Sequence, residues 1–232
     1  MASICENLAR IQDRIATAAT RVGRDPDSIE LVAVSKTKPV SLIVEAIEAG
    51  ITHIGENRVQ EAQSKHPQID QSVKWHLVGH LQRNKVKHAL QIFDLIHSVD
   101  SLRLLAEIDR RSAESNLTTD ILIQVNTSAE PSKFGLEPDQ TLDFIESAHP
   151  YTRVRIKGLM TIGAFLPDPE AVRPMFALLR QLREKIIAQQ FPNVQMDKLS
   201  MGMTNDFEVA IEEGANLIRV GTAIFGERAE NI

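Results

Sequence analysis

Residues 29–50 read IELVAVSKTKPVSLIVEAIEAG: an apolar run ending in a lysine, then a proline, a second apolar segment and a glycine stop. The run at 29–37 has the near-continuous aliphatic character of a strand buried on both faces. The segment from about Val40 to Ala49 reads as a helix closed by Gly50. A strand feeding a helix is half of a βαβ unit, and the same alternation runs on through the chain.

Upstream, Ile4, Leu8, Ile11, Ile15 and Val22 recur at helical spacing and predict an amphipathic N-terminal helix. Downstream, strands are expected at 52–56, 73–79, 93–99, 119–126, 154–161, 198–202 and 216–221, with helices near 57–66, 83–91, 101–115, 138–147, 169–189 and 205–213. With the first strand that makes eight strand–helix units, which implies a parallel sheet. Eight units of roughly 30 residues use up a chain of 232 residues. The expected fold is therefore α/β, a single (β/α)8 barrel over residues 1–232, with residues 1–24 an extra helix packed on it. A doubly wound sheet is the rival, weakened because no GxGxxG and no GxxxxGK[ST] occurs.

Composition bounds the function. At 43% hydrophobic, 25% charged and 4% aromatic residues the chain is an ordinary globular protein. A net charge of -5 gives no electrostatic footprint for nucleic acid or an anionic membrane. The one cysteine, Cys5, excludes an internal disulfide and fits a reducing compartment. The first residues lack the apolar region of a signal peptide, and no apolar run is long enough to span a bilayer, so the expected location is cytoplasmic.

Barrel chemistry belongs at the C-terminal ends of the strands. Strand alternation puts Val32, Val34 and Lys36 on one face. If that face looks inward, the Lys36 amine sits in a partly desolvated mouth, where it loses charge readily and can attack a carbonyl. The plain alternative is a strand-end lysine reaching solvent. In KLSMGMTNDFE, Asn205 and Glu208 are spaced as a capping box, and the amides around Ser200 and Gly202 are candidate anion donors. In RVGTAIFG, Gly221 permits close backbone approach and Thr222 offers a hydroxyl, although both glycines could be mere turn residues. Loops after strands seven and eight are the recurrent phosphate site of such barrels. Arg219 shares the inward face with Leu217 and must be paired or serve a ligand. HLVGH at 76–80 has the histidine spacing of a zinc helix but sits on a strand, so no metal is expected.

The blocks VAVSKTKP (32–39), HIGENRVQE (53–61), WHLVGHLQRNK (75–85), GLMTIG (158–163), LSMGMTNDFEVAI (199–211) and IRVGTAIFGER (218–228) resemble the pyridoxal phosphate homeostasis proteins. The resemblance implies a barrel like the N-terminal domain of alanine racemase, of pyridoxal-phosphate fold type III, that binds pyridoxal 5'-phosphate (PLP). It implies that Lys36 carries the cofactor as a Schiff base. Ser200, Gly202, Gly221 and Thr222 would hold the phosphate, Arg219 would face the pyridine nitrogen, and Asn57 would lie near the ring. Thr204 stands where family members often have serine, which keeps the hydroxyl.

An arginine donor leaves the pyridine nitrogen unprotonated, and such a ring is a poorer electron sink. A racemase compensates with a second acid/base, a tyrosine from another subunit. The single tyrosine here, Tyr151, precedes the sixth strand and is expected at the far end of the barrel, leaving only His80 as a substitute. Two readings stay open: a monomeric, non-catalytic PLP-binding protein that buffers vitamin B6 and delivers it to apo-enzymes, tuning amino-acid and keto-acid balance, or a weak amino-acid racemase with Lys36 as base. A protein-interaction module without cofactor is a third.

Overall fold

The computed structural model describes residues 3–227. Eight parallel strands close into a barrel in sequence order: β1 (Glu30–Val34), β2 (His53–Glu56), β3 (Lys74–Leu77), β4 (Leu95–Val99), β5 (Thr119–Gln124), β6 (Val154–Met160), β7 (Val194–Ser200) and β8 (Leu217–Val220). β1 closes the ring by pairing with both β2 and β8, with Val34 opposite Gly55 and Val32 opposite Arg219.

Helix α1 (Ile4–Arg21) precedes the barrel and opens with a capping box, in which Ser3 Oγ accepts from the Glu6 amide and the Glu6 carboxylate accepts from the Ser3 amide. Its apolar stripe of Ile4, Leu8, Ile11 and Ile15 is buried, each contributing roughly 2 kcal/mol. The stripe packs toward α2 (Val40–Glu48), α8 (Phe207–Glu212) and α9 (Thr222–Phe225). Arg14 fixes that docking with a two-pronged bond to Glu208, both contacts 2.8 Å. The other helices are α3 (Val59–Lys65), α4 (Val86–Ala89), α5 (Leu102–Glu114), α6 (Thr141–Ser147) and α7 (Arg173–Gln189).

The core has two layers. Val32, Val34, Val78, Leu95, Leu122, Met160 and Leu217 form one cluster inside the barrel. The opposite faces of the strands, Ala33, Ile54, Leu77, Ile96 and Ile218 among them, pack with the helices in a second. Val32, Val34 and Leu217 thus line the interior, as the alternation in β1 and β8 requires.

Three local expectations fail. Val22 does not extend the stripe of α1, because it follows the last helical residue and is exposed. β7 starts at Val194 rather than 198, because Gln195 and Asp197 are exposed strand residues whose polarity hides the strand. The Asn205–Glu208 capping box does not form: α8 starts at Phe207, and Asp206 Oδ1 instead accepts from the Met203 amide at 2.6 Å, closing the turn ahead of the helix.

Candidate functional site

β7, β8, β1 and β2 are consecutive in the barrel wall, and their C-terminal ends converge on one side of its mouth. Lys36 follows Val34 by two residues on the interior-facing register and is half-buried. On one side the wall continues to Asn57, also half-buried, just past β2. On the other, Gly221 lies against β1 so closely that an added Cβ would sit 3.0 Å from the Val34 carbonyl oxygen. A glycine there lets the loop carrying Thr222 run beside the end of β1.

The turn holding Lys36 is pinned from behind. Buried Lys65 Nζ donates to the Ser35 carbonyl (2.8 Å), to Glu56 Oε1 (2.7 Å) and to Glu61 Oε1 (2.6 Å). Ser35 Oγ donates to Glu56 Oε1 at 2.6 Å, and the Thr37 amide donates to Glu61 at 2.5 Å. Burial pushes the Glu56 carboxyl above its ordinary range, against the pull of Lys65 and Ser35. Its second oxygen is buried without a hydrogen-bond partner among the described residues. Thr37 takes a left-handed conformation at φ 64°. Lys38 then reaches across to the carbonyls of Phe225, Gly226 and Glu227 at 2.7–3.0 Å, tying the turn to the end of α9.

After β7, Gly202 has φ +93°, and a Cβ there would meet Ala210 Cβ at 2.6 Å and Phe207 Cα at 2.8 Å. The glycine lets the loop fold onto the start of α8, and the Gly202 carbonyl accepts from the Arg219 amide at 3.0 Å. Thr204 belongs to the turn that follows.

Arg219 is buried inside the barrel. Its guanidinium donates to Ser200 Oγ (2.5 Å) and to the Thr161 carbonyl (2.7 Å), both neutral groups. Burial lowers its pKa to about 10, opposed by the charge of Asp206, so it stays cationic at neutral pH. Of the five donors of a guanidinium, the contacts among described residues use these two.

Lys36, Asn57, Gly202, Arg219, Gly221 and Thr222 are thus gathered by four adjacent strands. Ser200 is placed differently: it is fully buried, and its hydroxyl lies between Arg219 and His97 Nδ1, at 3.0 Å from the latter. His80 is exposed and stacks on Phe134 with ring centroids 4.0 Å apart, whereas His76 of the same HLVGH segment is buried in the barrel wall. Tyr151 lines a small cavity with Val154 and Val194, at the N-terminal ends of β6 and β7.

Lys65, Glu61 and His97 escaped the sequence reading, and His76 figures there only as a metal ligand. The histidines carried a signal, since each is an isolated polar residue inside an aliphatic parallel strand. The Lys65 cluster carried none, because it depends on how α3 docks behind β1 and β2.

The family model of the alanine racemase N-terminal domain matches residues 7–229. The pyridoxal phosphate homeostasis protein of Aquifex aeolicus is 44% identical over 225 residues, covering 97% of this chain and 98% of that protein. The chain belongs to the pyridoxal phosphate homeostasis protein family.

A similar solved structure is that of PipY of Synechococcus elongatus PCC7942 with PLP bound, with a TM-score of 0.84 at 36% identity, covering 97% of this chain and all of that one. The alanine racemase of Clostridium difficile 630 shares the fold, with a TM-score of 0.75 at 13% identity over 97% of this chain and 58% of its own. Among the described residues no helix is long and apolar enough to cross a membrane.

Proposed function

We infer that this protein binds pyridoxal 5'-phosphate in the C-terminal mouth of the barrel and serves vitamin B6 homeostasis as a carrier. Arg219 carries the reading: a buried, donor-only guanidinium with neutral partners among the described residues has donors left for a further acceptor. A pyridine nitrogen is such an acceptor, a phosphate suits the loops at Gly202 and Gly221–Thr222, and an aldehyde suits a lysine amine. The residues present fit the group.

Bound there, the cofactor supplies an aldehyde that condenses with an amine, losing water, and a ring able to withdraw electrons. Lys36 would provide the amine, held in place by the Lys65 cluster behind its turn. Arg219 would keep the ring nitrogen as an acceptor, which limits that withdrawal. Gly202, Gly221 and Thr222 would orient the phosphate, and Asn57 would flank the ring. The Ser200 hydroxyl, engaged inside the barrel, would act through Arg219.

A carrier reading is favoured over a racemase because Tyr151, the single tyrosine of the sequence, lies at the other end of the barrel. Cytoplasmic location, a monomeric state and delivery to apo-enzymes are parts of the same reading, and the single cysteine fits a reducing compartment.

The test is the near-visible spectrum of the protein with PLP, before and after borohydride, beside Lys36→Ala. A band that borohydride bleaches, absent from the variant, is expected. A wild-type protein without that band would overturn the reading, and rapid Cα proton exchange of amino acids that depends on Lys36 would overturn the carrier assignment.

A further inference from the structure

Behind Arg219 the barrel interior holds a continuous file of polar groups. Arg219 donates to Ser200 Oγ, which lies 3.0 Å from His97 Nδ1. His97 Nε2 is 2.9 Å from His76 Nδ1, and His76 Nε2 is 2.8 Å from His53 Nδ1. Ser200, His97 and His76 are buried, while His53 is half-buried. His53 lines a cavity of about 530 Å³ with Glu30, Lys74 and Lys198, residues at or near the N-terminal end of the barrel. The file therefore crosses the barrel, from the candidate cofactor mouth to the opposite one.

Its direction follows from donor counting. A guanidinium only donates, so Ser200 Oγ accepts from Arg219. A hydroxyl has one proton, and Ser200 Oγ has no other acceptor among the described residues than His97 Nδ1. Ser200 therefore donates to His97, which leaves His97 with its proton on Nε2, donating to His76 Nδ1. The same step makes His76 donate from Nε2 to His53 Nδ1, and leaves His53 Nε2–H as the last donor, on a ring that lines the cavity. Reversing the file would leave the Ser200 proton buried without an acceptor, which is costly.

We propose that Ser200, His97, His76 and His53 are positioning residues for Arg219, a one-way hydrogen-bond file that holds the guanidinium toward the cofactor ring and couples its grip to the cavity at the opposite mouth. The proposal rests on the cofactor reading above. Fixed neighbours on two of the donors leave the remaining ones a single orientation. Any change in what Arg219 donates to then alters how strongly it donates to Ser200, and so on along the file.

Nitrogen-15 spectra of the histidine side chains in the full-length protein test this. Without ligand, His97 and His76 are expected as neutral Nε2–H tautomers at pH 7.5, and Nδ1–H tautomers would overturn the file. On saturation with PLP, the His53 ring resonances should shift in the wild type and stay in place in Ser200→Ala, where the file is cut. An equal shift in both would overturn the coupling. His97→Leu should raise the PLP dissociation constant about tenfold, whereas His97→Asn, which keeps an acceptor for the Ser200 hydroxyl, should stay within about threefold. Equal losses would overturn the positioning role. A wild type that fails to bind PLP would sink the cofactor reading, while the unliganded tautomers would still decide the direction of the file.

Discussion

The Lys65 ammonium lies 2.7 Å from the Glu56 carboxylate, and the pair closes around the backbone of Ser35, the residue before Lys36. Both side chains are essentially out of water. Such a pair gains little over an apolar one of the same shape, but breaking it from one side leaves an uncompensated buried charge. Lys65→Met should therefore cost about 3–5 kcal/mol in denaturant unfolding, and Lys65→Met combined with Glu56→Gln should recover most of it. A double variant as unstable as the single one would show that the charge pairing is not what matters.

The barrel itself could be read from the chain because each strand is an aliphatic run followed by a helical stripe, a pattern that survives without any tertiary knowledge. Lys36, Asn57, Gly202, Arg219, Gly221 and Thr222 were legible for the same reason, since strand ends fix their place. The side-chain partners of Ser200 were not. Its hydroxyl turns to His97, 103 residues away in sequence, and only the closure of the ring brings β4, β7 and β8 to face one another. The Lys65 cluster is hidden in the same way, because Ser35 lies 30 residues from Lys65.

Two glycines at positive φ, Gly202 in the site and Gly50 after α2, should differ sharply when given a methyl group. Gly202→Ala meets a left-handed backbone and a Cβ only 2.6 Å from Ala210 Cβ and 2.8 Å from Phe207 Cα, so a cost of about 2–4 kcal/mol is expected. Gly50 also has a positive φ, +104°, but nothing lies within 4 Å of its Cβ, so Gly50→Ala should cost only about 1 kcal/mol. Chemical denaturation of the two variants measures the contrast, and similar losses would mean that conformational strain rather than packing governs the loop after β7.

Arg219 should show opposite effects on stability and on binding. Its guanidinium is buried beside neutral partners and is held below its ordinary pKa by that burial. An apolar side chain of similar length removes the desolvation cost, so Arg219→Met should leave the ligand-free protein within about 1 kcal/mol of wild type, or above it. If Arg219 holds the ring as proposed, the same substitution should weaken PLP binding at least tenfold, since it would remove that donor. Thermal melts without PLP and a titration with it give the two numbers. A large loss of stability in the ligand-free protein would make Arg219 a structural residue first.

The buried histidines set the acid limit. Burial, reinforced by His53, Lys74 and Lys198, lowers the His76 pKa to about 3, and burial lowers that of His97 well below the ordinary imidazole value. Each therefore stays neutral in the folded protein while taking a proton in the unfolded chain below pH 6.5. That contribution to stability is present above pH 6.5 and is lost as pH falls toward the folded value, at about 1.4 kcal/mol per pH unit for His76. Glu56 and Asp206, raised by burial, act in the opposite sense and lose stability as pH rises through their folded values. Comparing wild type with His76→Gln cancels those carboxylates. The stability difference between the two should narrow by about 1.4 kcal/mol for each pH unit below 6, measured by urea unfolding between pH 7.5 and 5. A constant difference across that range would mean that His76 takes up its proton at the same pH in the folded barrel as in the unfolded chain, and the low folded value and the burial behind it could not hold.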